Sequence, residues 1–258
     1  IMVGFGPADL GSNPSRATSN ISRCPYCEIQ FRMAVMNAGT SWSRLMNPLR
    51  LAKPLSDMSI KTIAVLGAGQ MGNGITQVAA CAGYNVTMVD IEQSYVDRGL
   101  ATIEKSLAKL VSKERMTQED ADAARGRITT AIDRQACADC DLVVEAVPEI
   151  LSLKQEIFAE LDQICKPETI LASNTSSISI STIAEATNRP EQVIGMHFMN
   201  PVPIMKLVEI INGKQTSDAT NAAVIEASAT MGRPHSRATM HQALSRTGSC
   251  AQCLTKQF

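Results

Sequence analysis

Of the three histidines in the 258-residue chain, His197 alone falls inside a stretch of clear hydrophobic periodicity. It closes the apolar run 193–196 and precedes Phe198-Met199-Asn200-Pro201. Glu209 sits within the next apolar run, 207–211, where an unpaired carboxylate would be costly to desolvate. A neighbouring imidazole relieves that cost. The carboxylate then fixes the ring's tautomer and stabilises imidazolium. Spacing alone equally allows a satisfied core histidine and a glutamate turned to solvent.

Gly67-Ala68-Gly69-Gln70-Met71-Gly72 forms a GxGxxG turn between a strand-like run and a helical pattern. The first glycine permits the tight turn, the second lets backbone approach a pyrophosphate, and the third lets helix and strand pack closely. The helix start offers unpaired N–H groups to the phosphates. Asp90 ends the second strand-like run, roughly twenty residues on, where a carboxylate can bond both ribose hydroxyls and repel a 2′-phosphate. The combination favours NAD over NADP; the alternative is a plain glycine turn beside a surface acid. Asn174-Thr175-Ser176-Ser177 follows another apolar run, 170–172. Its amides and hydroxyls can hold a carbonyl oxygen or the nicotinamide, cap the next helix, or do both.

These residues need elements to position them. Apolar, strand-like runs occur at 60–66, 85–89, 128–132, 142–147, 169–172, 193–197 and 205–211. Helical patterns occur at 71–82, 95–113, 118–125, 152–165, 179–186 and 218–231. Strands alternating with helices of this length predict a parallel sheet covered on both faces. The C-terminal edge of such a sheet is where ligands bind, and His197 and Ser176 both fall there. Residues 1–57 and 234–258 carry no sustained period.

Lys+Arg 24 against Asp+Glu 25 gives a net charge of −1 and no field to recruit nucleic acid or an anionic membrane. No run approaches the ~18 consecutive apolar residues of a membrane span. With no signal-like opening, the expected location is the cytoplasm. The eight cysteines include three CxxC spacings, Cys24/Cys27, Cys137/Cys140 and Cys250/Cys253, too far apart for a compact zinc pattern. A metal or redox role is not expected.

The glycine turn, Asp141-Leu142-Val143-Val144-Glu145-Ala146, Ser173-Asn174-Thr175-Ser176-Ser177 and the run from His197-Phe198-Met199-Asn200-Pro201 to Glu209 together resemble the L-3-hydroxyacyl-CoA dehydrogenase family. The His-Phe-Met-Asn-Pro form is similar to the bacterial 3-hydroxybutyryl-CoA enzymes. The resemblance covers about residues 60–232. It implies an α/β fold with a Rossmann-type, doubly wound, mostly parallel sheet. It also implies NAD-linked interconversion of a 3-hydroxyacyl-CoA, 3-hydroxybutyryl-CoA foremost, and the 3-ketoacyl-CoA. On this reading His197, Glu209, Ser176 and Asn200 are catalytic. Gly67, Gly69, Gln70, Met71, Gly72, Asp90, Glu149, Lys154, Ser176 and Asn200 bind the cofactor, while Ser106, Lys113 and Ser176 meet the acyl-CoA.

The family continues into a helical, dimer-forming C-terminal domain that this chain is expected to lack, with impaired turnover as the consequence. Codons can be chosen for residues 237–258 that, read two bases later, give Arg-Asn-Asp-Ala-Pro-Gly-Phe-Val-Ser-Asn-Arg, which resembles the start of that domain. A reading-frame change between about Gly232 and Arg237 is therefore expected, making 233–258 a shifted tail and 58–232 the NAD-binding domain. Residues 1–57 read as upstream DNA translated in error, since codons for Gly11 to Thr18 resemble a transfer-RNA end and Met58 is a natural start. Two competing readings are a non-catalytic nucleotide-binding or interaction protein, and an NAD dehydrogenase of some other hydroxy acid.

Overall fold

The computed structural model describes residues 59–233 and 235–238. The expected read-through segment, the tail past Ala238 and the pairs Cys24/Cys27 and Cys250/Cys253 lie outside the described residues. Eight strands form one sheet: β1 (Thr62–Leu66), β2 (Asn85–Val89), β3 (Ile128–Ala131), β4 (Leu142–Glu145), β5 (Ile170–Ser173), β6 (Val193–Phe198), β7 (Val208–Asn212) and β8 (His235–Ala238). Their order is β3-β2-β1-β4-β5-β6-β7-β8, and only β6 and β7 pair antiparallel.

Every residue of β4 and β5 is buried, as expected of central strands covered on both faces. Along β1, Ile63 and Val65 point into one apolar cluster with Ile75, Met88 and Ile103. Ala64 and Leu66 point into the other, with Phe158, Leu161 and Ile183. This alternation is the strand's period of two, and it needs helices on each side. They are α1 (Gln70–Cys81), α2 (Gln93–Ser112), α3 (Gln118–Gly126), α4 (Leu151–Ile164), α5 (Ile180–Ala184) and α6 (Asp218–Thr230). Thr117, Ser179 and Ser217 cap α3, α5 and α6 with side-chain oxygens.

The chain leaves β1 toward β2 on one side and returns to β4 on the other, so the C-terminal ends of β1 and β4 flank the switch point of this Rossmann-type sheet. Two elements depart from the sequence reading. The expected strand 205–211 begins only at Val208, because residues 201–205 turn back on themselves, with Ile204 N and Met205 N both donating to Pro201 O at 3.0 and 2.9 Å. The sheet also runs past the expected domain end at 232: β8 pairs parallel with β7 in a segment whose sequence shows no strand period. Among the described residues no helix is long and apolar enough to cross a membrane.

Candidate active site

Gly67 leaves β1 with φ +96°, and a Cβ there would lie 2.7 Å from Ala146 O. A Cβ on Gly72 would lie 1.6 Å from Gly67 O, so turn and helix are in direct backbone contact. Gly69 is different: a Cβ there meets nothing within 4 Å. No side chain caps α1 and no acid occupies its first turn, which leaves its leading N–H groups open beside that space. The cradle fits a dinucleotide's pyrophosphate. Asp90 braces it, Oδ2 accepting from Ala68 N at 2.6 Å and Oδ1 from Ile91 N at 2.7 Å. A carboxylate has about four acceptor sites, so lone pairs remain for ribose hydroxyls.

The antiparallel register of β6 and β7 sets His197 directly opposite Glu209. Imidazole Nδ1 lies 3.1 Å from Glu209 Oε2, with the two side chains 19% and 15% exposed. Glu209 is therefore not a solvent-facing acid; it is paired, and its partner is half-buried at the sheet edge. Three residues beyond His197, Asn200 Oδ1 accepts from Gln70 Nε2 at 3.1 Å, linking the cofactor turn to the loop after β6. That loop is clamped from behind by Arg233, whose guanidinium donates to Val202 O at 2.6 Å and to Met205 O. The guanidinium carbon also stands 5.8 Å from the Phe198 ring centroid. Burial pulls the Arg233 pKa down. Sequence reasoning missed Arg233, since its partners are mostly carbonyls and leave no trace in side-chain pattern.

Around Ser176 the structure is tightly knit. Glu149 Oε1 accepts from Ser176 N and Ser177 N, each at 3.2 Å, from Ser177 Oγ at 3.0 Å, and from Thr175 Oγ1. Burial alone would raise the Glu149 pKa; the Thr175 hydroxyl, the Lys154 charge and the Ser177 hydroxyl outweigh it and hold the carboxyl below its usual range. Lys154 Nζ lies 3.3 Å from Glu149 Oε2 and 2.6 Å from Glu145 Oε1. Lys154 is 1% exposed and so, as placed, presents almost no surface to a ligand. The Ser176 hydroxyl is exposed and makes no hydrogen bond among the described residues. Asn174 is structural, its Oδ1 accepting from Phe198 N at 2.8 Å to strap β5 to β6. Helix capping falls to Ser179.

Ser106, half-buried on α2, and Lys113, exposed just beyond it, share no hydrogen bond or ion pair with the other candidates. Met71 is half-buried against the core beside Gly72. Cys137, Cys140 and Cys165 are buried together, Cys165 Sγ lying 3.5 Å from Cys137 O. Burial pushes the Cys140 and Cys165 thiols up to about 11 and Cys137 higher still, which keeps all three protonated and poorly nucleophilic.

Residues 62–237 match the family model described as 3-hydroxyacyl-CoA dehydrogenase, NAD binding domain. A probable 3-hydroxybutyryl-CoA dehydrogenase of Deinococcus radiodurans is 54% identical over 169 residues, covering 66% of this chain and 60% of the relative. The 3-hydroxybutyryl-CoA dehydrogenase of Bradyrhizobium diazoefficiens is 51% identical over 174 residues, covering 67% and 59%. Among solved structures, (S)-3-hydroxybutyryl-CoA dehydrogenase from Ralstonia eutropha superposes with TM-score 0.69 at 45% identity, covering 70% of this chain and 64% of that one. The chain spans about 60% of the length of the curated relatives it matches.

Proposed function

The chain belongs to the 3-hydroxyacyl-CoA dehydrogenase family, and from that premise we propose that it interconverts a short 3-hydroxyacyl-CoA, 3-hydroxybutyryl-CoA foremost, with its 3-ketoacyl-CoA. Bound NAD supplies the hydride acceptor. The observation that carries the reading is the 3.1 Å pair of His197 and Glu209 at the sheet edge that also bears the glycine turn.

Ionised Glu209 can only accept, so Nδ1 keeps its proton and Nε2 keeps a lone pair. Nε2 takes the substrate hydroxyl proton, and Glu209 offsets the imidazolium charge that results. The free hydroxyl of Ser176 bonds the substrate oxygen. Asn200, held by Gln70, orients the nicotinamide side. Asp90 excludes a 2′-phosphate. Ser106 and the exposed ammonium of Lys113 meet coenzyme A, a polyanion suited to a cation at that helix end. Soluble ligands on both sides fit a cytoplasmic enzyme with no nucleic acid or membrane among its partners.

The test is NADH formation by the chain on 3-hydroxybutyryl-CoA, beside free 3-hydroxybutyrate and beside His197→Ala. Thioester-dependent NADH that His197→Ala abolishes, while NADH still binds the variant, supports the reading. NADH binding without turnover on either substrate favours a nucleotide-binding protein instead. Turnover on the free acid alone makes it a dehydrogenase of another class.

A further inference from the structure

The Glu145–Lys154 ion pair lies under the candidate site and reaches it through Glu149. Glu145 ends β4, directly opposite Ser173 at the end of β5. Its side chain is 0% exposed; Oε2 accepts from Ser173 Oγ at 2.6 Å and Oε1 from Val147 N at 2.7 Å. Lys154, in the first turns of α4, is the only cation within reach among the described residues, and it serves two carboxylates at once. The second is Glu149, whose other oxygen gathers the amides of Ser176 and Ser177.

A buried ion pair is a poor way to gain stability, because desolvation consumes most of the attraction and apolar packing does as well. What it provides is position. Lys154, anchored from below by Glu145, has one place to stand, and Glu149 is held from there. Glu149 in turn fixes a turn whose own residues contribute no apolar anchor except half-buried Ile178.

We propose that Glu145 and Lys154 are a positioning pair that acts through Glu149 to hold the Ser176 turn in the geometry that meets cofactor and substrate. The inference rests on the reading of Ser176 as the residue that faces both. It adds a positioning role to the cofactor contact expected of Lys154, and assigns Glu145 a role that its place in an apolar strand does not announce.

Lys154→Met, Lys154→Arg, Glu145→Gln and the double variant Glu145→Gln/Lys154→Met test it in the full chain. Three readouts are taken: backbone amide exchange, thermal midpoint and fluorescence titration with NADH. Lys154→Met and Glu145→Gln should speed exchange at Ser176 and Ser177 and weaken NADH binding, each by roughly ten- to a hundredfold, with β4 and β5 amides unchanged. Lys154→Arg should restore much of both. The double variant removes the isolated buried charge and should recover the midpoint, yet leave the turn unprotected. If it recovers the turn as well, or if exchange rises equally across the sheet, the pair is structural only and the proposal fails. Should Lys154→Met not fold, Glu145→Gln and the double variant decide. None of these readouts needs turnover. A chain that gives this exchange pattern but never oxidises the thioester overturns the dehydrogenase reading, not the positioning pair.

Discussion

Gln70 Nε2 donates to Asn200 Oδ1 at 3.1 Å, joining the first residue of α1 to the loop after β6 across 130 positions of sequence. The two walls of the crevice thus touch through two side chains to which the proposed function gives a part in holding the cofactor. Gly74 tightens the same seam: a Cβ there would lie 2.8 Å from Val202 Cβ, so α1 and the loop are packed to contact. Binding on one wall can therefore set the geometry of the other.

Asn200→Ala should lower kcat on 3-hydroxybutyryl-CoA by about 10- to 100-fold with little change in thermal midpoint, since the residue is exposed. Gln70→Ala should raise KM for NAD several-fold and lower kcat less. Steady-state kinetics of both variants check this; if neither parameter moves, the bridge is incidental.

Glu209→Gln keeps the shape of the carboxylate and removes its charge. It should cost about 10²- to 10⁴-fold in kcat while NADH titrates as before, because the loss falls on imidazolium formation. His197→Ala should cost at least as much, and the double variant little more, since the two act as a unit. Additive losses would show that Glu209 does something apart from serving the histidine.

Gly69 and Gly72 separate ligand space from packing space. Gly69→Ala places a methyl that meets nothing within 4 Å beyond its own chain neighbours, so the midpoint should hold while NADH affinity falls. Gly72→Ala drives a methyl to 1.6 Å from Gly67 O and should cost about 2–3 kcal/mol of stability by urea titration. Equal affinity in wild type and Gly69→Ala would move the pyrophosphate off this turn.

Much of the fold and the site is legible in the sequence. β1, β4 and β5 each carry an unbroken apolar run, 63–66, 142–144 and 170–172, as a parallel strand covered on both faces has to. The His197–Glu209 pair follows from asking what a carboxylate does in an apolar strand. The same question put to Glu145 leads to Lys154, but Lys154 reads as a surface residue on an amphipathic helix, and only the fold turns it inward. Arg233 and β8 were invisible for a shared reason. Arg233 bonds backbone carbonyls, and β8 is held to β7 by its backbone ladder, and neither kind of partner alters the side-chain pattern. Met205, Lys206 and Leu207 alternate apolar and polar as a half-buried strand does, yet the turn bonded to Pro201 O withholds them from the sheet.

Asp141 predicts an acid limb to stability. Its Oδ2 accepts from Lys61 N, Thr62 N and Thr62 Oγ1 at 2.8–2.9 Å, and Oδ1 from Lys166 Nζ at 2.6 Å, which ties the start of β1 to β4. Partial burial would raise its pKa, but the Lys166 ammonium, the two amides and the Thr62 hydroxyl overcome that and hold it at about 2, against 3.8 unperturbed. A depressed native pKa means the unfolded chain takes up the proton first. The stabilisation is therefore complete above about pH 5 and drains away as pH falls through 4 toward 2. Solvent screens a side chain a quarter exposed, so the contribution should be about 1–2 kcal/mol. Urea midpoints at pH 6 and pH 3 for wild type and Asp141→Asn measure it: the variant should be weaker at pH 6, and the gap should narrow at pH 3. A gap that is the same at both pH values would mean that the carboxylate's charge contributes nothing to the β1–β4 junction, and that the variant's loss comes from hydrogen bonds an amide makes less well.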